Sequence, residues 1–208
     1  MLTAGDLRRK RQTGFSLVEL MVAMVLGLIV IGAVIALVLS MMRANNQTIA
    51  STRLTQELRA LAALMSNDLR RAGGVIDPLT VATANAGNPN NPFAAITIPA
   101  SPNNNCIQFG YANPAGEEAL NFHTISLSGT EVRMATAQIA APACGTGTRL
   151  SSPQVTITPV TGLTFERQSP CGTANPAGRC IRIILTGRLT GDAAITRRYT
   201  QDIYVRSI

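Results

Sequence analysis

The residues of this chain able to do chemistry are few. They are four cysteines (Cys106, Cys144, Cys171 and Cys180), a single histidine, His123, and a glutamate, Glu19, set inside the apolar run "GFSLVELMVAMVLGLIVIG". Zinc sites draw on several Cys or His at short, regular spacing. This sequence has no C-x-x-C pair and only one His, which leaves metal and thioredoxin-like chemistry without ligands, and no cofactor is expected. There is no G-x-S-x-G, no P-loop and no pair of histidines, and Glu117 and Glu118 in "NPAGEEAL" read as a polar turn, so an enzyme is not expected. Glu19 is the exception. A carboxylate in lipid is costly, and its presence marks a function or a specific partner.

The formal charge is +7. The cluster Arg8, Arg9, Lys10 and Arg11, offset by Asp6, supplies about half of it, and the chain after Gly14 is only mildly basic. There is no Trp, few Tyr or Phe, and no dense basic run with interleaved aromatics beyond the N-terminus. Dedicated nucleic-acid binding is therefore a minority reading. In it, Arg133, Arg149, Arg167, Arg179, Arg182, Arg188, Arg197 and Arg198 would form a phosphate-binding strip. The simpler reading is arginines on the solvated face of strands.

The elements that must position these residues begin with the apolar run. Residues 20–42 at about 1.5 Å each give roughly 35 Å of helix, enough for a hydrocarbon core of about 30 Å. The run is too long for a signal-peptide core and lacks a small-residue cleavage pattern. Basic residues precede it, so residues 1–14 belong in the cytoplasm and everything after the span outside. The pattern then changes without a breaker: Leu54, Leu58, Leu61, Met65 and Leu69 recur at three- and four-residue spacing opposite polar residues, an amphipathic helix. With no proline over residues 15–72, one helix of about 58 residues, roughly 85 Å, is predicted to run to Gly73 and Gly74.

Residues 75–105, rich in Asn, Pro, Ala and Gly, read as an irregular loop with one short strand near residues 95–98. From Cys106 to the end, seven β-prone runs ("CIQFGY", "ALNFHTISL", "EVRMATA", "QVTIT", "LTFERQ", "CIRIILTGRL", "RRYTQDIYVR") predict an antiparallel sheet packed on the helix stripe. The fold class is α+β, divided as residues 1–14, 15–42, 43–74, 75–105 and 106–208. All four cysteines lie on the outer side, and an even count in an exported domain favours disulfides. Four cysteines permit three pairings. The short separation across "GTANPAGR" favours Cys171 with Cys180, leaving Cys106 with Cys144.

A basic leader, then "GFSLVEL", then a spanning helix that continues as an amphipathic helix into a cysteine-bearing β domain resembles the type IV pilin and pseudopilin family. "LTQELRALAALMSNDLRRAGG", "CIQFGY" and "YVRSI" are similar to the PilW group of minor pilins, with J-type pseudopilins of type II secretion as near relatives. The resemblance implies cleavage after Gly14 by an inner-membrane prepilin peptidase, methylation of Phe15 by the same enzyme, and recognition of Arg8, Arg9, Lys10 and Arg11 at the inner membrane surface. It implies that Glu19 pairs with the N-terminal amine of an adjacent pilin-like subunit. The partners implied are other pilin-like subunits, the prepilin peptidase/methyltransferase and the inner-membrane assembly platform, with the chain passing from the inner membrane to the periplasm or a surface pilus. Ala36 stands where many major pilins carry a helix-kinking proline, which leans toward a minor subunit. A pseudopilin of a secretion system, or an adhesive or DNA-binding pilin, is the alternative.

Overall fold

The computed structural model describes residues 14–74, 93, 95–100, 103–112, 121–168 and 179–205. Among the described residues one α-helix, α1 (Leu17–Arg71), is followed by eight strands: β1 (Cys106–Gly110), β2 (Phe122–Ser128), β3 (Glu131–Ala137), β4 (Thr148–Arg149), β5 (Val155–Ile157), β6 (Leu163–Gln168), β7 (Arg179–Leu189) and β8 (Asp192–Val205). The chain divides into two units, Met1–Asn46 and Gln47–Ile208.

In the first unit the helix continues without interruption through Gly27, Gly32 and Ala36. Its side chains are exposed all round, and its apolar stretch is long enough to cross a membrane. A helix apolar on every side has no polar face to give to water, and lipid is the solvent that suits it. In the second unit the same helix becomes one-sided. Leu54, Leu58, Leu61, Ala62, Met65, Ser66 and Leu69 are buried, while Arg53, Gln56, Arg59 and Asn67 are exposed, as a 3.6-residue repeat requires.

The helix ends where two glycines make ending easy. Gly73 takes a left-handed φ of 80°, a conformation that costs glycine little. Its N–H donates to the Gly110 carbonyl at 2.8 Å, and Ala112 N–H donates to the Gly74 carbonyl at 2.7 Å. These bonds fasten the helix end to the end of β1.

The expected sheet is two sheets. One has the order β1-β2-β3-β4, all antiparallel; in the other, β7 pairs β5 and β6 end to end along one side and β8 along the other. Each has one apolar face: Ile107, Phe109, Ile125, Leu127 and Val132 in the first, and Val155, Ile157, Leu163, Phe165, Ile181, Ile183, Leu185, Ile203 and Val205 in the second, all in one core with the helix stripe. Gly187 sits under the helix, where a Cβ would come within 3.3 Å of Leu58 Cδ2 and 3.2 Å of Ile157 Cδ1. Backbone bonds join the sheets, from Ile157 N–H to the Thr130 carbonyl and from Phe165 N–H to the Asn104 carbonyl.

Six of the seven β-prone runs became strands close to their expected positions. The strand expected near residues 95–98 is a single bridge, Thr97 to Gln108. β8 starts at Asp192, five residues before the run that announced it, because the hairpin carries pairing with β7 on to Asp192 opposite Leu189, past a shift in register between Arg188 and Leu189. β4 was not foreseen: two residues are too few for alternation to show.

Candidate functional site

Gly14, Phe15 and Ser16 precede the helix without helical structure, and Leu20 N–H donates to the Ser16 carbonyl at 3.1 Å. Ser16 is therefore the residue at the helix boundary, and Leu17, Val18 and Glu19 are the first three inside it. Ser and Glu at that spacing have the form of a capping box, whose residue types satisfy the free amides of a first turn. This reading of Glu19 was legible in "SLVE" and was missed. A carboxylate in a first turn also meets the positive end of the helix dipole.

Phe15 is 82% exposed and Glu19 is exposed. Nothing lies within 4 Å of the place a Gly14 Cβ would occupy. Among the described residues, nothing covers the peptide bond between Gly14 and Phe15 on the glycine side, and it precedes the helical segment. Among the described residues the ion pairs are Arg133–Glu131, Arg149–Glu131 and Arg182–Asp202, so Glu19 has no cation beside it there. Arg8, Arg9, Lys10 and Arg11 lie outside the described residues.

The first cysteine pair is Cys106–Cys144, with Cα atoms 6.0 Å apart. It pins the segment of residues 138–147 over the polar face of the first sheet. Gln108 Nε2 and Thr124 Oγ1 both donate to the Pro142 carbonyl, at 2.8 and 2.7 Å, and Gly145 N–H donates to Ser126 Oγ at 2.8 Å. Thr124 and Ser126 are buried beneath this cover. Cys180 is also disulfide-bonded, and Cys171, its expected partner, lies outside the described residues, as do Glu117 and Glu118.

His123 is a core residue. Its ring stacks on Tyr111 (centroids 4.3 Å apart) and on Phe109 (5.5 Å), and the Arg71 guanidinium lies 4.4 Å from the centroid of the Tyr111 ring. Burial pushes the Tyr111 phenol up, and the charge of Asp68 and a hydrogen bond to it push the same way, against the opposing pull of Arg71. Among the described residues no group of three His, Cys, Asp or Glu converges as metal ligands would. A groove of about 210 Å³ beside the helix is lined by Leu58, Leu61, Leu64, Leu150 and Val155, and Glu57 is its single titratable lining residue.

The arginine strip does not hold together. Glu131 takes both Arg133 (3.0 Å) and Arg149 (2.9 Å). Arg167 donates to the Ile96 carbonyl. Arg182 makes a two-toothed pair with Asp202 at 2.7 and 2.9 Å, and that hydrogen bonding holds the Asp202 carboxyl below the usual carboxylate range. The side chain of Arg179 lies outside what is described, and Arg188, Arg197 and Arg198 are exposed at the hairpin end of β7 and β8.

A family model for the prokaryotic N-terminal methylation motif matches residues 9–35, the segment that holds Arg9, Lys10 and Arg11 of the basic cluster, Gly14, Phe15, Glu19 and the start of the apolar helix. With a long N-terminal helix leading into antiparallel sheets, this is a type IV pilin-like protein, and the helix and motif fit anchoring in an inner membrane. The chain belongs to the family described as prepilin peptidase-dependent protein B, whose model matches residues 47–205, well over half of it. Pilin-like families are structural, and dependence on a prepilin peptidase implies dealings with that enzyme and with the pilus machinery. Comparison with curated proteins and with solved structures returned no match.

Proposed function

We propose that this chain is a non-enzymatic minor pilin, processed at the inner membrane, that takes part in the assembly or priming of a type IV pilus. The observation that carries the reading is the coincidence of the methylation motif, residues 9–35, with a Gly14–Phe15 bond immediately before the helix and a carboxylate at the third helical position. Residues 1–14 are the cytoplasmic leader, held at the anionic inner surface by Arg8, Arg9, Lys10 and Arg11. Cleavage follows Gly14, and the new amine on Phe15 is methylated. Residues 15–42 span the membrane, residues 43–74 carry the stripe for the β domain, and residues 75–105 link it to residues 106–208.

Glu19 supplies the register. An ammonium on Phe15 of one subunit and the Glu19 carboxylate of a neighbour each carry a charge into low dielectric, and each is stabilised when they meet. Within this architecture the subunit reads as a PilW-group minor pilin, a reading supported by the quoted helix and strand segments; a J-type pseudopilin is the rival.

Glu19→Ala tests the reading. Insertion and topology should survive, because the change makes the run more compatible with lipid, and cleavage after Gly14 should continue. Incorporation should fall, since the substitution leaves an ammonium without its counter-charge. The readout is the amount of this chain in sheared surface filaments relative to inner membrane, at equal expression and with Phe15 confirmed as the N-terminus. An unchanged ratio would remove the pairing role and leave Glu19 as a residue at the headgroup level.

A further inference from the structure

The Cys106–Cys144 bond joins a buried residue to an exposed one. Cys106, at the start of β1, is 0% exposed, whereas Cys144 lies at the surface in the segment that covers the first sheet. We propose that this disulfide is a site of thiol–disulfide exchange, entered at the Cys144 sulfur by a dithiol oxidoreductase, and that its reduction releases residues 138–146 from the first sheet while the rest of the β domain stays folded.

The segment has no apolar burial to hold it down. None of residues 138–147 is buried, and Ile139, its one large aliphatic side chain, is 88% exposed. It is bound to the sheet by polar contacts: the Pro142 carbonyl accepts from Gln108 Nε2 and Thr124 Oγ1, and Gly145 N–H donates to Ser126 Oγ. When the segment lifts, water takes over such bonds, and the hydroxyls of Thr124 and Ser126 beneath it bond water equally well. The disulfide is the link that water cannot replace.

Both limits of the release are marked in the backbone. On one side β3 ends at Ala137. On the other, Gly147 has a φ of 94° and sits so close to Met134 that a Cβ there would run into its carbonyl. Arg149, next but one, is tied to Glu131 at 2.9 Å and to the carbonyls of Ser151 and Ser152, each at 2.8 Å. Opening therefore stops short of β4.

Access decides which sulfur of a disulfide a thiolate attacks, and access here is on the Cys144 side. The partner's first thiolate bonds to Cys144 Sγ, the Cys106–Cys144 bond breaks, and Cys106 leaves as a thiolate that takes a proton from water as the cover lifts. The partner's second thiolate then bonds to the partner's first sulfur and displaces Cys144, which is protonated in turn. Two electrons pass from the dithiol to the chain, and the partner ends as a disulfide. The oxidised chain holds Ile139 on a fixed projection; the reduced chain does not. The proposal is independent of filament entry, because exchange is read on the purified chain, and its failure would leave the subunit reading intact.

The test uses the full chain in zwitterionic nanodiscs. Thioredoxin with its second active-site cysteine replaced by Ser traps the mixed disulfide, and peptide mapping without reductant should place it on Cys144. After mild treatment with dithiothreitol, molecules in which only Cys106 and Cys144 are reduced are separated. Their Cys106 thiol should react with a polyethylene glycol maleimide under native conditions. Amide exchange at Gly145 should rise about 10-fold or more in them, and exchange at Ile157, whose N–H bonds the Thr130 carbonyl between the sheets, by less than about 2-fold. Cys106→Ser with Cys144→Ser should show the same exchange pattern without reductant. A mixed disulfide on Cys106, none on either cysteine, a Cys106 thiol that stays protected, or equal acceleration at Gly145 and Ile157 would each overturn the proposal.

Discussion

Tyr111 shows how a side chain outside any motif joins several elements. The Asp68 carboxylate of the helix acts on its phenol, its ring carries Arg71 on one side and contacts His123, and it is 5% exposed. Its folded pKa lies above the free value of about 10 because burial and the Asp68 carboxylate disfavour the phenolate, so the native state holds this proton more tightly than the unfolded chain. The contribution is fully present below about pH 10 and is lost as pH rises through the folded value. Phenolate absorbance should therefore show one tyrosine titrating late, and the urea midpoint should fall across that window. Tyr111→Phe should abolish the late phenolate and flatten the dependence. His123 was the residue that sequence alone could have taken for a ligand; the aromatic stack assigns it to the core.

At the scale of elements, the helix and the segment of residues 138–147 depend on different forces. The helix stripe is held by burial. Leu58 is 1% exposed and Leu64 is 48% exposed, so Leu58→Ala should cost about 3 kcal/mol, within the range for a buried Leu, and Leu64→Ala about 0.5 kcal/mol, compared by urea denaturation of the same chain. The cover segment is held by polar contacts and a covalent bond, and it has little apolar surface of its own beneath it. The Cys106–Cys144 disulfide closes a sequence separation of 38 residues, for which loop-closure entropy predicts roughly 3–4 kcal/mol. Cys106→Ala with Cys144→Ala should lose about that much, and hydrogen exchange at Gly145 should rise more than exchange at Ile183. Equal acceleration at both amides would mean that the cover unfolds only with the whole domain. β8 has β7 as its neighbour and is 14 residues long. Arg197, facing the core side of that edge yet exposed, is the kind of charge that discourages a further strand from pairing there.

For the molecule as a whole, the division at Asn46 and Gln47 follows from two solvents. Before it the helix is apolar on all sides; after it one stripe faces the sheets and the other face is polar. A chain that starts at Gln47 should be soluble and monomeric with one cooperative melt, by sedimentation and calorimetry, since it keeps every residue of the core. A chain that starts after Arg71 should aggregate, because both sheets would lose Leu54, Leu58, Leu61, Met65 and Leu69 from their apolar faces at once. A cooperative monomeric melt of the shorter chain would show that the helix lies outside the folding unit.

What the sequence by itself determined is local or additive. The spanning run, the helix stripe, the stop at Gly73 and most strands follow from periods of 3.6 and 2 and from glycine's freedom, all readable in neighbouring residues. The proposed site of Gly14, Phe15 and Glu19 is read from the sequence for the same reason, since its members sit within six positions. The tertiary structure decided what depends on residues far apart in the chain. It split the expected sheet in two, because each sheet needs an apolar face to lay against one helix stripe and no run announces which partner it will take. It also set Glu131 between Arg133 and Arg149, and Asp202 opposite Arg182, by strand register; a charge in a list carries no record of which opposite charge will lie 3 Å away. That pairing took Arg133, Arg149 and Arg182 out of the expected strip and left Arg188 and Arg198 exposed on one face.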